Sequence, residues 1–84
     1  MFYKTHTCSS SAPWLIFLHG FLGTHQDWEG IYDPFCSDYN VLLVDLPGHG
    51  SSHWDDSISS FYDLSVHLDD LFVRLGCHNI VLVG

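Results

Sequence analysis

Two short stretches of this chain, each rich in glycine and holding a histidine, read as its most function-like parts. The first is His19-Gly20-Phe21-Leu22-Gly23, the second Asp45-Leu46-Pro47-Gly48-His49-Gly50-Ser51-Ser52. In the first, glycines around a Phe-Leu pair predict a loop that turns backbone N–H groups outward, the kind of donor that stabilises developing negative charge. In the second, Asp45 and His49 suggest a charge pair. Gly48 and Gly50 favour instead a fixed turn of unusual φ, with the carboxylate accepting backbone N–H groups. Ser51 and Ser52 lie in no nucleophile elbow and have no identifiable base, so neither reads as a nucleophile. The remaining histidines are scattered. His49 and His53 are four apart, but Gly50 and two serines intervene, so a helical pair of metal ligands is not expected. Cys8, Cys36 and Cys77 are odd in number and far apart. They read as reduced thiols rather than as a disulfide frame.

Composition excludes several functions. Formal net charge is −8, and Lys4 and Arg74 are the only strong bases. A phosphate backbone is held by clustered Lys and Arg, so nucleic acid is not expected as a partner. No window approaches the roughly 18–20 apolar residues of a membrane span. The start Met-Phe-Tyr-Lys-Thr-His lacks the design of a secretory signal, which predicts a cytoplasmic location. Apolar content of 46% with 15% aromatic residues is high for 84 residues and marks core-forming material rather than a disordered tail.

The elements that must position the two stretches follow from hydrophobic pattern. Trp14–Leu18 is an unbroken apolar run after Pro13, too short for a helix, and predicts a strand buried on both faces. Asn40–Leu46 predicts a second such strand, through Asp45, and Asn79–Val83 a third. Phe2–Thr7 alternates weakly, as in a short edge strand, and Cys8–Ala12 reads as a polar turn. Between Thr24 and Asp38, the residues Trp28, Ile31, Tyr32 and Phe35 share one helical face. Thr24 and Asp27 have capping-box spacing, while Gly30 and Pro34 weaken that helix. Phe61, Leu64, Leu68, Leu71, Phe72 and Leu75 form an apolar helical stripe, with Ser57 or Ser60 as the cap and Gly76 just past the end. Strand, helix, strand, helix, strand is an α/β pattern: a parallel sheet with right-handed crossovers and flanking helices. Both glycine-rich stretches then lie at carboxyl ends of strands, where open α/β sheets bind ligands.

In order and spacing, the two stretches and the closing Leu82-Val83-Gly84 resemble the α/β-hydrolase superfamily over essentially all of Trp14–Gly84. Trp14-Leu15-Ile16-Phe17-Leu18-His19-Gly20-Phe21 and Val44-Asp45-Leu46-Pro47-Gly48-His49-Gly50 are most similar to the MenH-type family of menaquinone biosynthesis. Its members, 2-succinyl-6-hydroxy-2,4-cyclohexadiene-1-carboxylate synthases, eliminate pyruvate from their substrate. The resemblance implies that Gly84 is the first glycine of Gly-x-Ser-x-Gly, with the nucleophile two residues beyond it and the acid and histidine later still. On that reading residues 1–84 are a partial domain, about the first third of an α/β-hydrolase domain, with no catalytic residue of their own and no activity in isolation.

The same resemblance implies an oxyanion-hole loop at Gly20, Phe21 and Leu22, with the Phe21 N–H as one donor. His19 is then structural beneath the loop, and Asp45, Gly48, His49 and Gly50 build a structural turn. It implies a small-molecule substrate for the complete protein, and no cofactor or metal. An ordinary serine carboxylic-ester hydrolase of the same fold is the alternative enzyme. A non-catalytic interaction module is the alternative of another class, against which the third strand would present an unprotected edge.

Overall fold

The computed structural model describes residues 1–20, 23–53 and 58–84. Four strands form one sheet: β1 (Tyr3–His6), β2 (Trp14–Leu18), β3 (Asn40–Val44) and β4 (Ile80–Val83), in the order β1-β3-β2-β4. β2 pairs in parallel with β3, Trp14 opposite Asn40, and with β4, Trp14 opposite Ile80. The first buried strand is therefore central, between β3 and β4. β1 runs antiparallel to β3, Tyr3 opposite Val44, so the sheet is mixed and not purely parallel. A tight polar turn makes this reversal possible. The buried Asn40 side chain accepts from Cys8 N at 2.7 Å and donates to Ser9 O at 2.7 Å and Ala12 O at 3.2 Å.

The alternation of side chains along β2 and β3 divides the core. Trp14, Ile16, Leu42 and Val44 face the helix α1 (Phe61–Leu75) and bury Leu71, with Leu68, Phe72, Leu75 and Cys77 packed around them. Leu15, Phe17, Val41 and Leu43 face the other way, under Trp28, Tyr32, Cys36 and Tyr39. Apolar side chains on both faces of a central strand are what a sheet covered on both sides demands. Trp28 closes the second face with its ring 5.1 Å from that of Phe17.

α1 is bounded by local chemistry. Ser60, in extended conformation, accepts from Asp63 N at 3.1 Å, and Gly76 ends the helix at φ +72°. Ser57 lies outside the described residues. The stripe is narrower than its spacing predicts, because Phe61, in the first turn, is 92% exposed.

Two further expectations need correction. No α-helix forms between Thr24 and Asp38. Two short 3-10 turns, His25–Trp28 and Asp33–Phe35, replace it. Glu29 is extended (ψ 133°) and Gly30 left-handed (φ +79°), so the helical ladder is cut after one turn, and Ile31 and Phe35 end up exposed. β4 is not buried as its apolar run predicts. Its only sheet partner is β2, and Ile80, Val81 and Leu82 are exposed, Leu82 by 58%. The strand also begins one residue later than the sequence suggests, because Asn79 takes φ +48°.

Candidate active site

The carboxyl ends of β2 and β3 meet over an open cleft of about 740 Å3 lined by His19, Gly20, Leu46, Pro47 and His49, with Ile58 to Phe61 and Leu64 opposite. Phe21 and Leu22, predicted to complete the loop, lie outside the described residues. The flanks of that loop are fixed. Gly23 N–H donates to Gly20 O at 2.9 Å, closing a turn from 20 to 23. A Cβ on Gly23 would overlap the Asp27 carboxylate and lie 3.0 Å from Gly20 O and from His19 Cβ. A Cβ on Gly20, by contrast, meets nothing among the described residues. Gly23 is thus demanded by close packing, and Gly20 borders open space.

His19 is buried beneath the loop. Its Nε2 accepts from Leu46 N–H at 2.9 Å, which leaves the proton on Nδ1, and Nδ1–H donates to Gly20 O at 2.8 Å. The ring therefore holds its own loop and the turn after β3 in one geometry. Such a neutral ring with both nitrogens occupied has no capacity left to act as a base. The ring of His49 lies 5.0 Å away, and its Nδ1 is 3.0 Å from Pro47 O.

Asp45 is fully buried at the end of β3, and its partner is not His49. Oδ1 accepts from the backbone N–H of His25 at 2.6 Å and meets the His25 ring Nδ1 at 2.8 Å, while Oδ2 accepts from Ser51 N–H at 2.8 Å. Burial pushes this carboxyl up. The N–H groups of Ser51 and His25, with the His25 ring, outweigh that and hold it below the usual aspartate value. Gly48 (φ +77°) and Gly50 (φ +51°) shape the turn, and a Cβ at Gly50 would collide with the carboxylate. Ser52 is also structural: its hydroxyl donates to Asp45 O and accepts from Phe2 N–H at 2.7 Å, tying the N-terminus to the turn.

His25 escaped the sequence reading. Only its place just after the cap residue Thr24, where helical N–H groups lack internal partners, hints that it needs an acceptor. Nothing local names an acceptor twenty positions away. Among the described residues no three His, Cys, Asp or Glu side chains converge as metal ligands. Nor is any helix among them long and apolar enough to cross a membrane.

A sequence profile of the alpha/beta hydrolase fold matches residues 13–84. This chain belongs to that family. Within the alpha/beta hydrolases, the 2-succinyl-6-hydroxy-2,4-cyclohexadiene-1-carboxylate synthase of Yersinia pseudotuberculosis serotype O:1b is 42% identical over 74 residues, which are 88% of this chain and 26% of the relative. The chain thus spans about a quarter of the length of the curated relatives it matches. Among solved structures, MenH from S. aureus superposes with a TM-score of 0.82 at 28% identity, over 95% of this chain and 31% of that one. A marine microorganism esterase superposes at 0.85 with 23% identity, over 99% and 31%, a likeness of fold alone. These relatives are enzymes, and the superpositions show that they share the fold described above.

Proposed function

We propose that this segment forms the oxyanion side of the active site in an enzyme of the 2-succinyl-6-hydroxy-2,4-cyclohexadiene-1-carboxylate synthase type. In that enzyme the Phe21 N–H, within the Gly20–Leu22 loop, donates to the oxygen on which negative charge develops as pyruvate is eliminated. A nucleophilic serine two residues beyond Gly84, with its acid and histidine, supplies the proton transfers. The observation that carries this reading is the contact of Gly23 N–H with Gly20 O after the central strand, with Gly20 lining the cleft, in a chain 42% identical to such a synthase. A donor fixed in advance reorganises little as charge appears, and one such donor contributes about 3–4 kcal/mol to the barrier. His19 and Asp45 support the loop, and His49, Gly48 and Gly50 shape the turn beside it. The substrate is a small molecule, and no cofactor takes part.

A second reading, an ordinary carboxylic-ester hydrolase, is favoured by one feature. The cleft is lined mainly by apolar side chains and holds neither of the two strong bases. Lys4 is on β1, and Arg74 pairs with Asp70 at 3.0 Å near the far end of α1. A substrate with several carboxylates then needs cationic side chains from elsewhere in the protein. Assay of the complete protein carrying this segment separates the two. The proposal expects pyruvate release from the cyclohexadiene substrate well above turnover of nitrophenyl esters. Ester turnover without pyruvate release would replace it with the second reading.

A further inference from the structure

Both flanks of the glycine loop are tied to the same two consecutive residues, Asp45 and Leu46. At the near flank, Leu46 N–H donates to His19 Nε2, while His19 Nδ1–H holds Gly20 O. At the far flank, the Asp45 carboxylate takes both the backbone N–H and the ring Nδ1 of His25. The span between is short and internally braced. Gly23 N–H closes on Gly20 O, Thr24 Oγ1 accepts from Gln26 N–H at 3.1 Å, and Asp27 Oδ2 accepts from Thr24 N–H at 3.2 Å. Those contacts shape residues 20–27 but do not attach them to the sheet. The His25–Asp45 contact does so, away from water: Asp45 is fully buried and His25 nearly so, with the Phe2 ring 5.2 Å from the imidazole.

We propose that His25 is a positioning residue for the loop: through Asp45 it fixes the far flank at the end of β3, as His19 fixes the near flank through Leu46. The two histidines form a clamp that holds Gly20 at one flank and the start of the 3-10 turn at the other. This assignment rests on the reading of the loop as the oxyanion donor for its catalytic consequence, but not for its geometry. Buried charge-assisted hydrogen bonds of this kind hold a group in place more firmly than neutral ones. Opening of the far flank should leave the sheet intact, because Trp28, at the other end of the same turn, keeps its seat on Phe17.

The test compares His25→Leu, which removes the ring donor, with His25→Asn, whose Nδ2–H can reach Asp45 from the position of Nδ1. Amide hydrogen exchange is followed on this chain and kinetics on the complete protein carrying it. In His25→Leu, exchange at Gly23 should rise by about tenfold, the size of one lost hydrogen bond, while Leu46, held by His19, and Leu42 and Val44 in β3 keep their protection. His25→Asn should restore most of it, and kcat should fall and recover in step with KM nearly constant. Unchanged exchange at Gly23, a parallel loss at Leu42 and Val44, or no rescue by asparagine would overturn the clamp. If His25→Leu does not fold, the asparagine variant decides alone: Gly23 protection close to wild type supports the clamp, and loss of it refutes it. Exchange that responds as expected while kcat stays constant upholds the clamp and removes the oxyanion reading.

Discussion

The two crossovers of this sheet have opposite designs. From β3 to β4 the chain passes through α1, a 15-residue helix seated on Trp14, Ile16, Leu42 and Val44 by its own apolar stripe. From β2 to β3 it passes through two short 3-10 turns whose hold on the sheet is partly apolar, through Trp28 and Tyr32, and partly polar, through His19 and His25. The difference follows from what each must do. A helix needs only burial of one face, which is non-directional and tolerant of small shifts. A loop that presents backbone N–H groups to a reacting atom must be fixed in direction as well as place, and only hydrogen bonds supply direction. Both crossovers border the cleft, the polar one through His19 and Gly20 and the other through Leu46, Pro47, His49 and the start of α1.

Substitutions on the two sides should therefore fail in different ways. The largest loss of stability is expected from the apolar crossover: Leu71→Ala, which hollows the α1 seat, should cost about 3 kcal/mol in urea unfolding. Asp45→Asn should cost less, about 2 kcal/mol, because it weakens the acceptor for two buried N–H groups and the His25 ring. It should also change the acid limb. The folded-state pKa of Asp45 lies below its ordinary value, so its contribution is complete above the unfolded value of about 3.9 and is lost as pH falls through the lower folded one. Wild type should therefore lose stability more steeply than Asp45→Asn below about pH 4. Gly76→Ala, at φ +72°, should cost about 1 kcal/mol at the end of α1. Phe61→Ala, despite its place in the stripe, should change stability by less than about 0.5 kcal/mol, since the ring is already in water. The smallest effect is chemical. Cys8 is exposed, whereas burial raises the thiol pKa of Cys36 and Cys77, so alkylation near neutral pH should reach Cys8 first.

What the sequence made legible divides along the same line. Periodicity and apolar runs located β2, β3 and α1, because burial acts on every side chain of an element and repeats along it. Thr24 with Asp27, and Gly76, were also readable, since caps are local. The helix over Thr24–Asp38 was misread because the same four apolar positions satisfy a helical face whether or not the backbone at Glu29 and Gly30 continues it. β4 was misread as buried because an apolar run reports what a strand can tolerate, not what covers it. His25 and Asn40 were missed because each is defined by partners twenty or more positions away, and a single polar side chain carries no pattern. At the site, sequence found the glycines and Asp45 but not the pairing that joins them.

The central claim is that the loop after β2 acts through a backbone N–H. Its most direct test removes that N–H by replacing Phe21 with the corresponding α-hydroxy acid, so that one amide becomes an ester in the complete protein carrying this segment. The Gly20 carbonyl stays in place as a weaker acceptor for Gly23 N–H and His19 Nδ1–H. The account predicts a folded enzyme whose kcat falls by about 10²–10³-fold, as for loss of one oxyanion donor, with KM nearly unchanged because the bond strengthens only as charge develops. Phe21→Leu, which keeps the N–H, should stay close to wild type. An ester-linked enzyme that turns over at the wild-type rate would contradict the account and leave the loop as a turn only.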